Sequence, residues 1–340
     1  MKPLIKQIAR KLLYPVILSL KADRLIAATS KHRMMILMYH GVTEKNYTSI
    51  TPRHLTSIEF KKHLTYLKKT FDIIPLKQAF EFYRNGIIPK KNTIAITFDD
   101  GFVNNYTTAL PLLESFKIPA TFFISAICID DENYILWSDL LDIIRAKTSE
   151  DFIELNNHKF YKKGAYVIYS PELAISGADY IKQLSPENRN SLLEDLKKKY
   201  NIQKLTNNIP SECYKLLNIE QLKKFAASSF VEIGSHGYSH LNLANIPLNV
   251  AENELKQSKQ KLEEVIGKEV IAIAYPDGNY NDKIKEASLK SGYTNLLAVN
   301  YLLPTDIMDK NILSRFSISN TTTYEANMLL LNQRFNTLGF

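Results

Sequence analysis

The sequence predicts a parallel α/β fold, and three observations support that class. Apolar runs such as residues 93–98 lack the alternation of a half-exposed strand, so they suit a sheet covered on both faces. Segments with helical periodicity separate these runs, for example 56–71 and 106–116. The run at 93–98 ends in Asp99-Asp100-Gly101, and ligands of such folds collect where the strands end.

The other elements follow the same alternation along the chain. Thr56 with Glu59, and Thr322 with Glu325, suit capping boxes that begin helices. Gly267 suits a helix end. Strands are predicted at 34–39, 73–74, 93–98, 120–124, 230–233, 270–274, 296–299 and 312–318, and helices at 56–71, 76–85, 106–116, 220–227, 250–266, 282–290 and from 322.

The alternation breaks between about residues 130 and 217. A hairpin with an Asn156-Asn157 turn and a charged helix at 185–200 are predicted there. We interpret this stretch as an insertion beside the site, within a domain that spans residues 34–340. Trp137, near its start, either packs in a core or stacks on a sugar ring.

Composition narrows the class of protein. The chain has 340 residues, an apolar fraction of 45% and a formal charge of +8, which suit a single large globular domain with or without an insertion. Its basic residues are scattered among acidic ones, which favours a solvated surface over a nucleic-acid site. Cys128 and Cys213 alone do not make a disulfide framework.

Residues 1–33 are basic and partly apolar, with Lys2, Lys6, Arg10 and Lys11 before a short apolar stretch. That stretch is about half the roughly 20 residues of a membrane span. We expect an amphipathic helix that lies either on a membrane surface or against the protein. The expected location is cytoplasmic, peripheral to the inner membrane, and the alternative is export followed by membrane anchoring.

Two histidines are candidate metal ligands that complement the carboxylates of the acidic turn. His236 and His240 follow the strand at 230–233 and are flanked by Gly234 and Gly237, which argues for a loop and not for one helix face. Imidazole and carboxylate suit a divalent metal such as zinc, and three protein ligands would leave an open catalytic position. Asp100 is the natural third ligand, which leaves Asp99 free to accept a proton from water.

In the acidic turn and the histidine pair, the chain resembles the polysaccharide deacetylases of carbohydrate esterase family four, with the NodB homology domain. Thr97-Phe98-Asp99-Asp100-Gly101 is similar to the first motif of that family, and Ser235-His236-Gly237-Tyr238-Ser239-His240 is similar to the second. Tyr275-Pro276-Asp277-Gly278 partly matches the third motif, and Met38-Tyr39-His40-Gly41-Val42 is typical of many members.

The resemblance implies a distorted (β/α) barrel with fewer than eight strands. It also implies metal-dependent removal of acetyl groups from N-acetylated sugars, with Zn²⁺ as the expected metal. By position, Asp99 becomes the general base, and Asp100, His236 and His240 become the metal ligands. The main chain near Tyr275 and Pro276 would help to stabilise the tetrahedral oxyanion, together with the metal.

Two departures from the family pattern bear on the mechanism. Ala272, Ile273 and Ala274 stand directly before Tyr275, where the family often has an arginine that orients the base, and no histidine follows His240 to act as the general acid. We hypothesise that His40 protonates the leaving amine, since it ends a neighbouring strand. Arg315 either orients Asp99 or meets an anionic substrate.

The resulting prediction is a deacetylase of an N-acetylated hexosamine in a surface polysaccharide or its lipid-linked precursor. One alternative is a glycan-binding barrel that has lost turnover, and another is a deacetylase of O-acetyl groups. A nucleic-acid binder would rest on net charge alone, so no nucleic-acid partner is expected.

Overall fold

The computed structural model of the chain describes residues 34–318 and 320–337. The amphipathic segment predicted at 1–33 therefore lies outside the described residues. Within the described part of the chain, no helix is both long enough and apolar enough to cross a membrane.

Seven parallel strands close into a barrel. The strands of the described residues are β1 (Met34–Tyr39), β2 (Gly41–Thr43), β3 (His54–Thr56), β4 (Asp72–Ile73), β5 (Thr93–Phe98), β6 (Ala120–Ile124), β7 (Phe152–Leu155), β8 (His158–Lys163), β9 (Val167–Ser170), β10 (Ile175–Ser176), β11 (Val231–Ser235), β12 (Ala272–Ala274), β13 (Asn295–Ala298) and β14 (Ile312–Ser317). The ring order is β1-β5-β6-β11-β12-β13-β14, and it closes because β1 pairs with both β5 and β14. The barrel with fewer than eight strands is confirmed.

The helices of the described residues connect barrel strands, belong to the stretch 130–217 or, for the last of them, follow the final strand. They are α1 (Ser57–Thr70), α2 (Leu76–Arg84), α3 (Leu110–Phe116), α4 (Trp137–Lys147), α5 (Gly177–Gln183), α6 (Pro186–Lys199), α7 (Ile202–Thr206), α8 (Ile219–Ala226), α9 (Leu248–Ile266), α10 (Asp282–Lys290) and α11 (Tyr324–Thr337). A π-helical turn, Asn105–Ala109, replaces the first turn predicted for α3.

The capping prediction is confirmed at one helix and wrong at another. Thr56 accepts a hydrogen bond from the Glu59 amide at 3.2 Å, so α1 begins with the predicted capping box. At α11 the Thr323 hydroxyl, and not Thr322, accepts from the Ala326 amide at 3.3 Å. The helix therefore begins at Tyr324, because a cap reaches the amide three residues further on.

The two-residue period of the strands decides which side chains point into the barrel. Ala95, Thr97 and Asp99 share one face of β5 and its extension, and Ile94, Ile96 and Phe98 share the other. The cluster around Ala95 also contains Phe123, Ala272 and Leu313, which we assign to the barrel interior. Gly234 is required there because a Cβ would lie 2.5 Å from the Phe123 ring.

Residues 130–217 have their own hydrophobic core. The antiparallel strands β7 to β10 form a separate sheet, and α4 to α7 pack with it around residues such as Ile144, Ile153 and Phe160. The predicted hairpin turn is present, with Asn156 and Asn157 both at positive φ. The division of the chain into domains stays a prediction.

Candidate metal centre and active site

The acidic turn separates its two carboxylates. Asp99 continues the β5 direction, whereas Asp100 adopts a φ of 77° that turns its side chain away from that of Asp99. Both side chains are buried, with residue exposures of 3% and 4%. Adjacent acids can therefore take different roles.

Asp100, His236 and His240 come together at the carboxyl end of the barrel. The Oδ1 atom of Asp100 lies 3.5 Å from Nε2 of His236 and 3.3 Å from Nε2 of His240. One ligand atom from each residue lies within 4.8 Å of the others, and all three residues are buried. Two imidazoles and one carboxylate are a typical donor set for a catalytic zinc site, so these residues fit a divalent metal.

The two imidazoles have different surroundings. Nδ1 of His236 lies 2.9 Å from the Ala274 carbonyl oxygen. Because a carbonyl only accepts, Nδ1 carries the hydrogen, and Nε2 is left with the lone pair that a metal needs. Burial lowers the pKa of His236. Burial also opposes the charged form of His240, but Asp100 outweighs it and raises the pKa of that ring.

Two residues distant in sequence hold the His240 loop. Glu254 on α9 accepts from the amides of Tyr238 and Ser239 at 3.1 and 2.8 Å. Arg189 on α6 donates to the carbonyls of His240 and Ser239 at 3.2 and 3.4 Å. These contacts hold a backbone in which His240 has a φ of 55°. Sequence reasoning missed both residues, because each lies in a helix of mixed charge.

Arg315 on β14 binds Asp99 with both ends of its guanidinium. Nη1 donates to Oδ1 at 2.6 Å and Nη2 donates to Oδ2 at 2.8 Å. Burial alone would raise the pKa of Asp99, but Arg315 and His236 hold it below the usual value. The Arg315 side chain is fully buried, so of the two roles considered for it the structure supports orientation of Asp99.

His40 follows β1 and lines the same pocket as the metal-ligand candidates. Its main-chain carbonyl accepts from the Asn105 side chain at 2.8 Å, which fixes the loop after β1. Burial lowers the pKa of the His40 ring, although Asp100 and Asp99 oppose that shift. The ring is therefore mostly neutral at pH 7.

The structure does not support an oxyanion role for the main chain of Tyr275 or Pro276. The Tyr275 amide donates to the Leu297 carbonyl at 3.1 Å, so it continues the sheet between β12 and β13. Proline has no amide hydrogen to offer. The Tyr275 side chain is also engaged, since it is fully buried and its hydroxyl donates to Ser288 at 3.2 Å.

A pocket of about 440 Å³ lies above these groups. Barrel residues line one side of the pocket. Residues of the insertion, among them Trp137, Tyr166 and Lys182, line the opposite side. Trp137 is both a core residue of the insertion and part of this lining, so the two roles considered for it are compatible. A volume of this size suits a small ligand.

Comparison with known proteins places the chain in a family. The sequence profile of the polysaccharide deacetylase family matches residues 87–171 and 182–296. YxkH of Bacillus subtilis (strain 168), whose name describes it as a polysaccharide deacetylase, is 21% identical over 262 residues. These residues cover 77% of this chain and 62% of that protein. A poly-beta-1,6-N-acetyl-D-glucosamine N-deacetylase of Staphylococcus aureus is 28% identical over 29% of this chain and 38% of its own length. The chain thus spans less than two thirds of these relatives.

Solved structures share the fold. The Streptococcus pyogenes deacetylase PplD in complex with acetate has a TM-score of 0.57 at 17% identity, over 90% of this chain and 99% of that one. IcaB from Ammonifex degensii has a TM-score of 0.55 at 15% identity, over 89% and 98%. At such identities the likeness concerns the barrel and not the substrate. With the family profile covering more than half of its residues, this chain belongs to the polysaccharide deacetylase family.

Proposed function

We propose that the protein is a metal-dependent deacetylase that hydrolyses the acetamide of an N-acetylated hexosamine. One observation carries this proposal: a carboxylate fixed at both oxygens lies beside three buried metal-ligand candidates, under a pocket of small-ligand size. Water adds to the acetyl carbon, the bond from carbon to nitrogen breaks, and acetate and a free amine leave.

Asp99 is the proposed general base. Its low pKa keeps it ionised at neutral pH, so one oxygen can accept a proton from the attacking water. Arg315 holds both oxygens in one orientation. A base held in one orientation accelerates the reaction more than a mobile one does.

Asp100, His236 and His240 are the proposed ligands of the metal, with Zn²⁺ the expected ion. A divalent metal held there would supply Lewis acidity toward the acetyl group and toward water. The protein's own part is to hold the ligands rigidly, which Ala274 does for His236 and Arg189 does for the His240 loop.

His40 is the proposed donor of the proton to the leaving amine. It lines the pocket, and within the described residues no histidine follows His240. Because its pKa is lowered, only a fraction of the rings carry the required proton at pH 7. Turnover through His40 should therefore be faster on the acidic side of neutrality.

The proposed substrate is a surface polysaccharide or its lipid-linked precursor, carrying N-acetylglucosamine or a related sugar. The Staphylococcus aureus relative is named as an N-deacetylase of a β-1,6-linked N-acetylglucosamine polymer, which supports the choice of sugar. The missing histidine favours a second candidate, a barrel that binds glycans without hydrolysing them.

An acetate-release assay with metal titration tests the proposal. The protein is stripped with a chelator, reloaded with Zn²⁺, Co²⁺ or Mn²⁺, and given N-acetylated and O-acetylated saccharides. We expect acetate from N-acetylated sugars only after a metal is restored. Release from O-acetylated sugars alone would favour the O-deacetylase, and bound metal without any acetate would favour the glycan-binding barrel.

We also propose that the protein works at the cytoplasmic side of the inner membrane. The basic residues of segment 1–33 support this, because each Lys or Arg near anionic lipid contributes about 1 kcal/mol. The full chain should sediment with anionic vesicles at low salt and less at high salt. Cleavage by a protease added to intact cells would instead indicate export and anchoring.

A further inference from the structure

We infer that the pocket accepts one end of a glycan and not an internal segment of a long chain, an inference that rests on the proposed function. The inserted residues 130–217 decide this, because they lie across the mouth of the barrel.

The insertion is anchored above β1. Arg53, in the loop after β1 and β2, forms an ion pair with Asp139 on α4, and its Nη1 lies 3.8 Å from Oδ2 of Asp142. Arg145, also on α4, donates to the Ser49 carbonyl at 2.9 Å. The first anchor therefore joins α4 to the loop at residues 44–53.

The insertion is also anchored on the far side of the ring. Lys182, at the end of α5, forms an ion pair of 3.0 Å with Asp277, in the loop after β12. Arg189 on α6 donates to the His240 carbonyl in the loop after β11. In the ring order, β11 and β12 are each three strands from β1, in opposite directions. Anchors on opposite sides mean that the insertion crosses the mouth.

A third side is closed by the chain as it returns from the insertion. The Lys215 carbonyl accepts from the Val103 amide at 2.8 Å, and the Leu217 amide donates to the Gly101 carbonyl at 3.0 Å. Both bonds join the returning segment to the loop after β5. The insertion itself begins after β6, so this side of the mouth is covered by chain.

Among the residues that the structure describes, those on the side of β13 and β14 leave room for substrate. None of these anchors involves the loops after those two strands, and Val299, directly after β13, lines the pocket. A polymer lying across the site would need a second opening opposite the first, where the loop after β5 meets the returning segment. A chain end needs a single opening. Tyr166, which is 38% exposed and lines the pocket, offers a ring to a sugar at the rim.

The test uses β-1,6- and β-1,4-linked N-acetylglucosamine oligomers of increasing length, with acetate release as the readout. A site with extended binding would raise kcat/KM about tenfold for each 1.4 kcal/mol that an added sugar contributes. We expect instead a change of less than about twofold beyond the disaccharide, with the free amine at one terminus by mass spectrometry. Free amines at internal sugars, or a steady rise of kcat/KM with length, would overturn the inference.

Binding keeps this inference separate from the proposed function. Trp137 is the single tryptophan of the chain and lines the pocket, so its fluorescence reports binding even without turnover. In Asp99→Asn, affinity that stops increasing after one or two sugars supports the inference, and affinity that keeps increasing overturns it. Absence of acetate at every length concerns the proposed function alone.

A pair of lysine variants tests the anchoring directly. Lys182→Met removes the bond to Asp277, so longer oligomers should gain in kcat/KM relative to the disaccharide. Lys199→Met removes a pair of similar length, 2.8 Å to Glu154, that lies within the insertion, and should keep the wild-type length profile. The same profile in Lys182→Met as in Lys199→Met would contradict the role of that anchor.

Discussion

The barrel and the insertion build the pocket with contacts of different kinds. The barrel contributes a buried pair, Arg315 with Asp99, whose side chains are 0% and 4% exposed. The insertion contributes Lys182, which is 32% exposed in its pair with Asp277. Breaking a buried pair costs about 3–5 kcal/mol, whereas an exposed pair contributes about 0–1 kcal/mol. The Arg315–Asp99 pair in the barrel is thus held more strongly than the Lys182–Asp277 pair, which joins the insertion to the barrel at one side of the pocket.

The largest effect should come from the barrel carboxylates. Asp99→Asn removes the base while leaving the three ligands, so kcat should fall about 1000-fold or more with metal content unchanged. Asp100→Asn should lose both activity and metal, as measured by elemental analysis of the purified protein. Equal metal loss in the two variants would contradict the separation of their roles.

His40 comes next in expected effect. His40→Asn should reduce kcat about 100-fold with metal still bound. Because burial lowers the pKa of His40, the wild-type rate should fall as pH rises through that pKa, and the variant should lose this dependence. Full activity in His40→Asn would remove it from the mechanism.

Arg315→Lys examines how tightly the strands fix the base. A single ammonium cannot bind both carboxylate oxygens in the way a guanidinium does, so kcat should fall about 10- to 100-fold. The KM should stay nearly constant, since Arg315 is fully buried. The pKa of Asp99 should rise, which moves the acidic limb of the rate profile to higher pH. An altered KM with an unmoved acidic limb would instead indicate contact with substrate.

Arg189 is a residue of the insertion that contacts the loop of a candidate metal ligand, His240. Arg189→Met should weaken metal affinity about tenfold, because the His240 loop loses two hydrogen bonds. At saturating metal, kcat should recover most of the wild-type value. A metal titration followed by calorimetry measures this, with Lys199→Met as the control. Wild-type affinity would show that the barrel holds the loop alone.

The smallest expected effect concerns a histidine remote from the pocket. Burial lowers the pKa of His63 on α1 from 6.5 to about 4, so the unfolded chain binds a proton that the folded chain refuses. Stability is therefore lost as pH falls from about 6.5 toward 4. Between pH 7 and pH 5, protonation of His63 in the unfolded chain lowers the free energy of unfolding by about 2 kcal/mol.

His63→Gln should lose that part of the pH dependence, as measured by urea unfolding at both pH values. An identical loss of stability in the wild type and the variant would assign the acid sensitivity to other groups, including those of the pocket.

The barrel and its chemistry were predictable because their signals are local. The strand at 93–98 and the ligand spacing of His236 and His240 stand in short stretches of sequence, and the structure brings those ligands to Asp100. Adjacent threonines at 322 and 323 offer the same local signal, so the helix start was misplaced by one residue.

The rest depends on partners distant in sequence. The Tyr275 amide is occupied by Leu297 on the neighbouring strand, which no local pattern reveals. Lys182 and Arg189 look like ordinary residues of a charged surface until the fold places them over the barrel. Sequence therefore predicted the convergence of Asp100, His236 and His240 better than the shape of the pocket around them.

Three residues that line the pocket have a left-handed backbone, a conformation that glycine adopts with less strain. Asp100, His240 and Asp277 adopt φ values of 77°, 55° and 58°, each at a cost of about 1 kcal/mol or more for an L-residue. Such a cost persists only where surrounding contacts offset it, and each of the three has one: Asp100 lies beside both imidazoles, Arg189 donates to the His240 carbonyl, and Asp277 pairs with Lys182. The pocket is therefore built on backbone that its own side-chain contacts hold in place.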